Sequence, residues 1–600
     1  MARKRIGVMN TAFRDGFQSC LGARVFWKDY RPAVEAAVAA GVRHFEFGGG
    51  AMFQSAFFYC GTSAFDVMDG FREVVGPDVT LQTLARGINV VGLESQPSDV
   101  IDLHARLFHR HGTSVIRNFD ALNDVGNLVF SGECIHRAGL KHEVVITMMA
   151  LPPGCTGAHD PGFYLRTLES ILESGVPFDS VCFKDASGTT TPRVVHDTIR
   201  AARLRLGPDV PIRMHTHETA GTSVLVYQAA LDAGADGLDL SMAPMSGGTC
   251  QPDILTLWHA LRGTDYDLGL DIDRIAEAEA VFKECMAPYD LFPEDRLVEP
   301  RIPWSPMPGG ALTANTQMLR DNGILDKYPA IIQAMTETVR RGGFGTSVTP
   351  VSQFYFQQAF NNVMFGPWER IADGYGRMVL GYFGRPPCPP DPEIVRICSE
   401  KLGLPPTAED PRTLDDANPS KGLAAARQAL AEAGLSSPSE EDLFVAATCG
   451  PKGIAFLRGA RPIGVRLKQP VAPAPEPPAP PTPRTWRVSV SGQAYDVSID
   501  GDSATVNGRR YEVTASPSAG GEPPSGVATA TSVPSPLPGT IVKVMVEGGQ
   551  RIAAGEVLVI IEAMKMQTEV RARTPGVVSR VLVRPGDQIR AGQPIVAMAA

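Results

Sequence analysis

Short apolar runs alternate with longer segments of helical apolar spacing through roughly the first half of the chain. Residues 6–9, 44–47, 80–84, 114–118, 144–149, 180–183, 212–215 and 237–240 read as eight strands. Between them, segments such as 29–40, 97–111 and 194–205 put apolar residues on one helical face and charges on the other. Eight β–α units in this span predict an α/β fold, a closed TIM (β/α)8 barrel over residues 1–300. An open doubly wound sheet is the rival topology, but no Gly-x-Gly-x-x-Gly follows the first strand.

Past residue 300 the period becomes helical almost throughout. Residues 328–340, 353–365 and 423–432 mark a helical extension over 301–465, broken at Arg385-Pro386-Pro387 and Leu404-Pro405-Pro406. A Pro/Ala-rich linker follows at 466–485, extended and solvated by composition. A short alternating β unit spans 486–513 and is too small to bury much core alone, so a packing neighbour is expected. A second flexible linker, 514–532, leads to a final β-rich domain, 533–600.

That last domain is an internal repeat. Pro538-Gly539, Gly549 and Gly555 recur as Pro575-Gly576, Gly586 and Gly592, each 37 residues on. Two similar hairpin sets should therefore pair about a pseudo-twofold axis, with Lys565 at the turn between them. Ala563-Met564-Lys565-Met566 places that lysine between two methionines. The segment resembles a flattened β-barrel carrier domain of the biotinyl or lipoyl type, and the tetrad favours biotin attached covalently at Lys565. Flexible segments upstream suit an arm that commutes, because tethering raises its effective concentration at each stop.

The formal charge of -9 over 600 residues gives no reason to expect a nucleic-acid partner. The basic start, Met1 to Arg5, has no long apolar run behind it, so no signal peptide is expected. No run of eighteen apolar residues appears, and the ten cysteines stand singly. A cytoplasmic protein is expected, one that could still dock on a membrane partner.

Barrels of this class carry their chemistry at the C-terminal strand ends, and the unusual polar residues collect there. Asp15 and Gln18 follow strand one, Arg86 ends strand three, Lys184-Asp185 ends strand six, and His215-Thr216-His217 ends strand seven. Thr249 follows strand eight. Two histidines two apart on one strand share a face, and with Asp15 they make a His/His/carboxylate set for a divalent ion such as zinc, manganese or cobalt. Lys184 has two readings: a salt bridge with Asp185, or a neutral amine that takes up carbon dioxide as a carbamate ligand.

With these residues in place the chain closely resembles the biotin-dependent carboxyltransferase family: oxaloacetate decarboxylase α subunits, transcarboxylase 5S subunits and the carboxyltransferase region of pyruvate carboxylase. The matches run in order through Arg14-Asp15-Gly16-Phe17-Gln18-Ser19, Arg86-Gly87-Ile88-Asn89, Phe119-Asp120-Ala121-Leu122-Asn123-Asp124, Phe183-Lys184-Asp185, His215-Thr216-His217, Ser246 to Pro252, and Pro308-Gly309-Gly310. The resemblance implies a metal on Asp15, carbamylated Lys184, His215 and His217. It implies that Arg86 and Gln18 orient a 2-oxo acid, and that Thr249 shuttles a proton between substrate C3 and biotin N1. Carbon dioxide would pass between biotin and the enolate of the 2-oxo acid in either direction. It also implies a biotin protein ligase and either a separate biotin carboxylase subunit or membrane decarboxylase subunits as partners, while the helical extension and the carrier's need to reach a barrel mouth lead us to expect a homo-oligomer. No ATP-grasp domain is recognisable, so the chain by itself should not load biotin from bicarbonate and ATP.

Two positions depart from the family pattern. Gln54 stands where an Asp is usual and Leu93 where a Tyr is usual, both near the substrate and biotin pocket of the family. Loss of a fixed charge and of a hydroxyl leaves room for a larger, less polar or more anionic acceptor, such as one like 2-oxoglutarate. Asn10 and Cys250 are milder changes, in place of Asp and Ser. Two further classes compete: a condensing or lyase-type metal barrel, which needs neither Phe183-Lys184-Asp185 nor a carrier, and a non-catalytic carrier scaffold.

Overall fold

The computed structural model describes residues 3–468, 484–500, 503–512, 532–536, 538–563, 566–590 and 592–598. They fall into two compact units, Met1–Leu467 and Lys468–Ala600. The first unit holds the predicted barrel. Its strands are β1 (Gly7–Asn10), β2 (His44–Gly49), β3 (Thr80–Ala85), β4 (Val115–Asn118), β5 (Lys141–Thr147), β6 (Ser180–Asp185), β7 (Ile212–Thr216) and β8 (Gly237–Leu240). All neighbours are parallel, and the ring closes where Gly7 to Asn10 pair with Gly237 to Leu240. Strand β7 ends at Thr216, so His217 lies just beyond it rather than on it.

The helices between strands follow the apolar spacing read from the chain: Trp27–Ala39, Ser98–Arg110 and Pro192–Leu206 each bury one face. The barrel interior departs from the bulky apolar filling common to this fold. Arg117 is fully buried, pairing with Glu143 at 2.5 Å and with Asp239, while Arg213 reaches Glu143 and Asp239 at 3.5 Å. Higher up, Arg14 pairs with Glu46 at 2.6 Å. Buried charges are costly unless paired and hydrogen-bonded, and this ladder of pairs fixes the rotamers beneath the mouth.

The helical extension is part of the same unit and covers the mouth. Its helices Tyr328–Arg341, Val351–Phe365 and Gly422–Glu432 coincide with the predicted segments to within two residues. Phe444 of helix Glu440–Leu457 packs against Phe53 and Phe65. Thr346 binds the Ala121 carbonyl through its amide at 2.8 Å and meets the Thr147 hydroxyl at 2.9 Å. Helix Gly309–Asp321 begins so near the β8 loop that a Cβ on Gly309 would stand 1.9 Å from the Thr249 carbonyl oxygen. Only glycine permits that approach.

In the second unit, Arg484–Val490, Gln493–Asp500, Ser503–Val506 and Arg509–Glu512 form a four-stranded antiparallel meander. Trp486 and Val490 are 44% and 58% exposed, as the small size of this element demands.

The C-terminal domain folds as the repeat predicts, into two four-stranded antiparallel sheets. Gly539–Val544, Arg551–Ile552 and Val557–Ala563 of the first half recur as Gly576–Val581, Gln588–Ile589 and Pro594–Met598 of the second. Each sheet mixes strands from both halves. The buried side chains obey the same repeat: Ile541, Val546, Ile552, Leu558 and Val559 are matched by Val578, Val583, Ile589, Ile595 and Val596. Gly549 and Gly586 hold φ of 88° and 94°, and Gly555 and Gly592 hold 88° and 78°, turns that side chains resist. Lys565 lies outside the described residues; the strands on either side of it pair antiparallel, with Ala563 opposite Met566.

Candidate active site

After β1 the chain turns through a π-helical segment, Ala12–Gly16, which places Arg14 and Asp15 over the barrel mouth. Lys184 and His215 are cross-strand partners on β6 and β7. Three acceptors converge: Asp15 Oδ2 lies 3.3 Å from His215 Nε2 and 3.5 Å from His217 Nε2, and the two Nε2 atoms are 3.1 Å apart. The outer nitrogens fix the tautomers. His215 Nδ1 faces the Asp239 carboxylate at 2.8 Å, and His217 Nδ1 faces the Thr249 carbonyl at 2.6 Å. Each Nδ1 must therefore donate, which leaves both Nε2 lone pairs aimed at one point beside a carboxylate.

That donor set fits a divalent cation. Asp15, His215 and His217 form the one such cluster among the described residues. The amide of Gln251 bridges the same atoms, at 3.2 Å from Asp15 Oδ2, 3.3 Å from His215 Nε2 and 2.9 Å from His217 Nε2.

Electrostatics favour the same protonation pattern. Burial would raise the Asp15 carboxyl, but Arg14, Lys184 and His217 hold it well below the usual range. Burial pushes Lys184 down, with Arg14 and Arg117 acting the same way against the pull of Asp15 and Glu46, which eases the loss of its proton. Burial and Lys184 also lower His215 and keep its imidazole uncharged. Lys184 Nζ stands 2.6 Å from His215 Nε2 and 3.6 Å from Asp15 Oδ2. Its neighbour Asp185 is turned away, accepting from the amides of Ser187, Gly188 and Thr190. The Lys184–Asp185 salt bridge that the sequence left open is thus not the arrangement found.

A cavity beside these atoms is lined by Arg14, Asp15, Gln18, Arg86, Lys184 and His217, with an apolar wall that includes Leu84, Phe119 and Val348. Arg86 is 2% exposed; its Nη1 donates to the carbonyls of Val91 and Gly92, each at 2.8 Å, and its Nε has no partner. Among the described residues no carboxylate forms an ion pair with it. Burial, with Arg14 adding to it, lowers its proton affinity. Gln18 accepts from Arg14 at 3.2 Å and stays on the cavity wall.

Three of the residues read from sequence sit elsewhere. Gln54 donates to the Thr448 carbonyl at 2.9 Å, against the extension. Leu93 is half-buried and outside the cavity lining, its carbonyl accepting from Asn89 at 3.0 Å. Thr249 is fully buried and off the cavity wall, its hydroxyl 3.1 Å from the carbonyls of both Ser19 and Asp295.

Comparison with known proteins finds three family matches along the chain. Residues 133–282 match the HMGL-like family, 302–507 the conserved carboxylase domain, and 531–598 the domain of biotin-requiring enzymes. The chain belongs to the biotin-dependent carboxyltransferases. It is 28% identical to a pyruvate carboxylase subunit of Methanocaldococcus jannaschii over 566 residues, 94% of either chain. It is also 28% identical to the 2-oxoglutarate carboxylase large subunit of Hydrogenobacter thermophilus, covering 95% of this chain and 91% of that one. The crystal structure of a complete multifunctional pyruvate carboxylase from Rhizobium etli superposes with a TM-score of 0.67 at 26% identity, covering all of this chain, which spans 57% of that one.

Within this carboxyltransferase the structure adds residues that sequence reading passed over. Thr313 lies on the helix whose first turn supplies Gly310 and Ala311 to the cavity wall. Its hydroxyl reaches the Ser19 carbonyl, as that of Thr249 does, and Asp295 Oδ1 at 2.7 Å. Burial pushes the Asp295 carboxyl up to about 7. Gln251 lies within the Ser246 to Pro252 motif, but its three contacts required the fold. Asp239 and Arg117 had no local signal, since their partners lie many residues away. Among the described residues, no helix is long and apolar enough to cross a membrane.

Proposed function

We propose that this chain moves a carboxyl group between biotin on Lys565 and a small 2-oxo acid of the pyruvate/oxaloacetate type. The reading rests on Arg86. A buried guanidinium with a free Nε and no acidic partner among the described residues lacks only an anion, and a planar carboxylate satisfies its fork. Because Asp15, Lys184 and His217 line the same cavity, the carboxylate's neighbouring carbonyl would lie towards the convergent donors.

Asp15, His215, His217 and Lys184 as its carbamate would hold a divalent ion, which when bound supplies a Lewis acid for the 2-oxo oxygen. The protein does the rest. Arg86 neutralises and orients the carboxylate, and the Gln18 amide stands ready for the carbonyl. The apolar wall of Leu84, Phe119 and Val348 excludes water, which strengthens each of these contacts. A threonine hydroxyl moves the proton at substrate C3. Thr249 is the candidate read from sequence, and Thr313 shares its acceptor while standing next to the cavity wall.

The acceptor is proposed to be pyruvate or a close homologue. An acceptor like 2-oxoglutarate is the alternative, raised by the name of one relative. With no biotin-loading domain recognised in the sequence, a separate biotin carboxylase subunit is the proposed partner. Membrane decarboxylase subunits are the other possibility, with a biotin protein ligase to load the arm, a cytoplasmic location and a homo-oligomer. A screen of carboxylated 2-oxo acids for decarboxylation supported by free biotin tests the reading. Turnover of oxaloacetate is expected, and a panel without biotin-dependent turnover would exclude it.

A further inference from the structure

Cys20 and Cys250 are fully buried with their sulfurs 3.1 Å apart, although 230 residues separate them in sequence. Neither belongs to the machinery described above. Cys20 sits on helix Phe17–Leu21 after β1, two residues from Gln18 on the cavity wall. Cys250 lies in the loop after β8, between Thr249, whose carbonyl holds His217, and Gln251, whose amide bridges the convergent donors. The backbone around Cys250 is tied on both sides: its amide donates to Gly247 and its carbonyl accepts from Glu218, at 2.9 and 2.8 Å.

We propose that Cys20 and Cys250 are a redox modification site, closing to a disulfide that staples the neighbouring β1 and β8 loops at the barrel mouth when the protein meets a peroxide. One thiol reduces the peroxide, becoming a sulfenic acid as a water leaves. The second thiol attacks that sulfur, the S–S bond forms, and a second water departs. Two thiols lose two electrons and two protons, and one hydrogen peroxide becomes two waters.

A disulfide needs a sulfur separation of about 2.05 Å, so roughly 1 Å of approach is required of two segments held by their own hydrogen bonds. The strain falls on Thr249 and Gln251, the neighbours of Cys250 that position His217 and the donor cluster. A displacement of that size at a reacting centre costs on the order of 10²-fold in rate. The other eight cysteines form no comparable pair among the described residues.

The test treats the reduced, full-length protein with hydrogen peroxide, blocks remaining thiols and maps peptides without reduction. A linked Cys20–Cys250 peptide is expected, reversed by dithiothreitol, together with an about tenfold or larger fall in biotin-supported oxaloacetate decarboxylation that recovers on reduction. Cys250→Ser should form no link and keep its activity under peroxide; Cys20→Ser serves if that variant does not fold. Absence of the linked peptide from folded, oxidised protein overturns the site, and so does equal inactivation of the serine variant. Mass mapping is independent of the proposed reaction, so the failure of one does not mimic the failure of the other. A linked protein that turns over normally would overturn the consequence for the mouth.

Discussion

In the barrel mouth, groups as distant in sequence as Asp15 and His217 meet within a few ångströms. The carrier is instead one pattern of apolar positions used twice, Ile541 with Val578 and Leu558 with Ile595. The first region is dense in buried charge, with Arg14, Asp15, Arg117 and Asp239 each held by an opposite partner and Arg86 left open for one. The second has an almost purely aliphatic core and, by the family resemblance, a single chemically active side chain. The difference is between positioning and reach. Transfer of a carboxyl group needs atoms held within tenths of an ångström, and a ladder of ion pairs supplies that rigidity. Delivery needs only a compact bead that survives detachment, and an apolar core supplies that with few specific contacts.

The comparison is broken most severely by Lys565→Arg. Covalent biotin and coupled turnover should vanish, while transfer to free biotin at the barrel stays measurable; intact mass and the free-biotin assay together read both. A mutant that kept coupled turnover would mean the arm is misassigned. Within the mouth, Thr249→Ala and Thr313→Ala separate the two candidate hydroxyls. Loss of the one that moves the proton should cut kcat about 10²–10⁴-fold with the fold intact, and the other should cost far less. Equal and small effects would remove a threonine from the reaction.

Arg86→Ala should lower kcat/KM by roughly 10²–10³-fold, the scale of a truncated buried charge contact, and Arg86→Lys should recover only part because an ammonium lacks the planar fork. Steady-state kinetics across 2-oxo acids checks this, and an unchanged KM and kcat would leave Arg86 structural. The mildest effect is expected from Asp239→Asn. It weakens the grip on His215 and leaves Arg117 short of a partner, so metal affinity should fall about 10–100-fold with a loss of stability of about 3–5 kcal/mol. Chelator titration and thermal unfolding read these two outcomes separately.

Sequence alone carried the parts governed by local periodicity. All eight strands, the helices of the extension and the pseudo-symmetric carrier were legible because apolar spacing repeats within a few residues, or at a fixed interval of 37. Donor convergence was legible too, through ordered motifs at strand ends. What was hidden is what depends on partners far along the chain. Gln54 turns to Thr448 because helix Glu440–Leu457 packs beside it, and nothing near residue 54 announces that helix. Thr313 was overlooked because its contacts, Ser19 and Asp295, belong to other elements. Arg117 reads locally as an ordinary strand residue, yet it is a central rung of the ladder.

The most direct measurement follows one carbon atom. Oxaloacetate labelled in its C4 carboxyl is mixed with the biotinylated, metal-replete chain, and the Lys565 peptide is examined after the carboxyl adduct is trapped as its methyl ester. The account predicts label on the biotin of the native chain, and none after metal removal or in Arg86→Ala. Unlabelled biotin on a metal-replete chain that consumes oxaloacetate would contradict it.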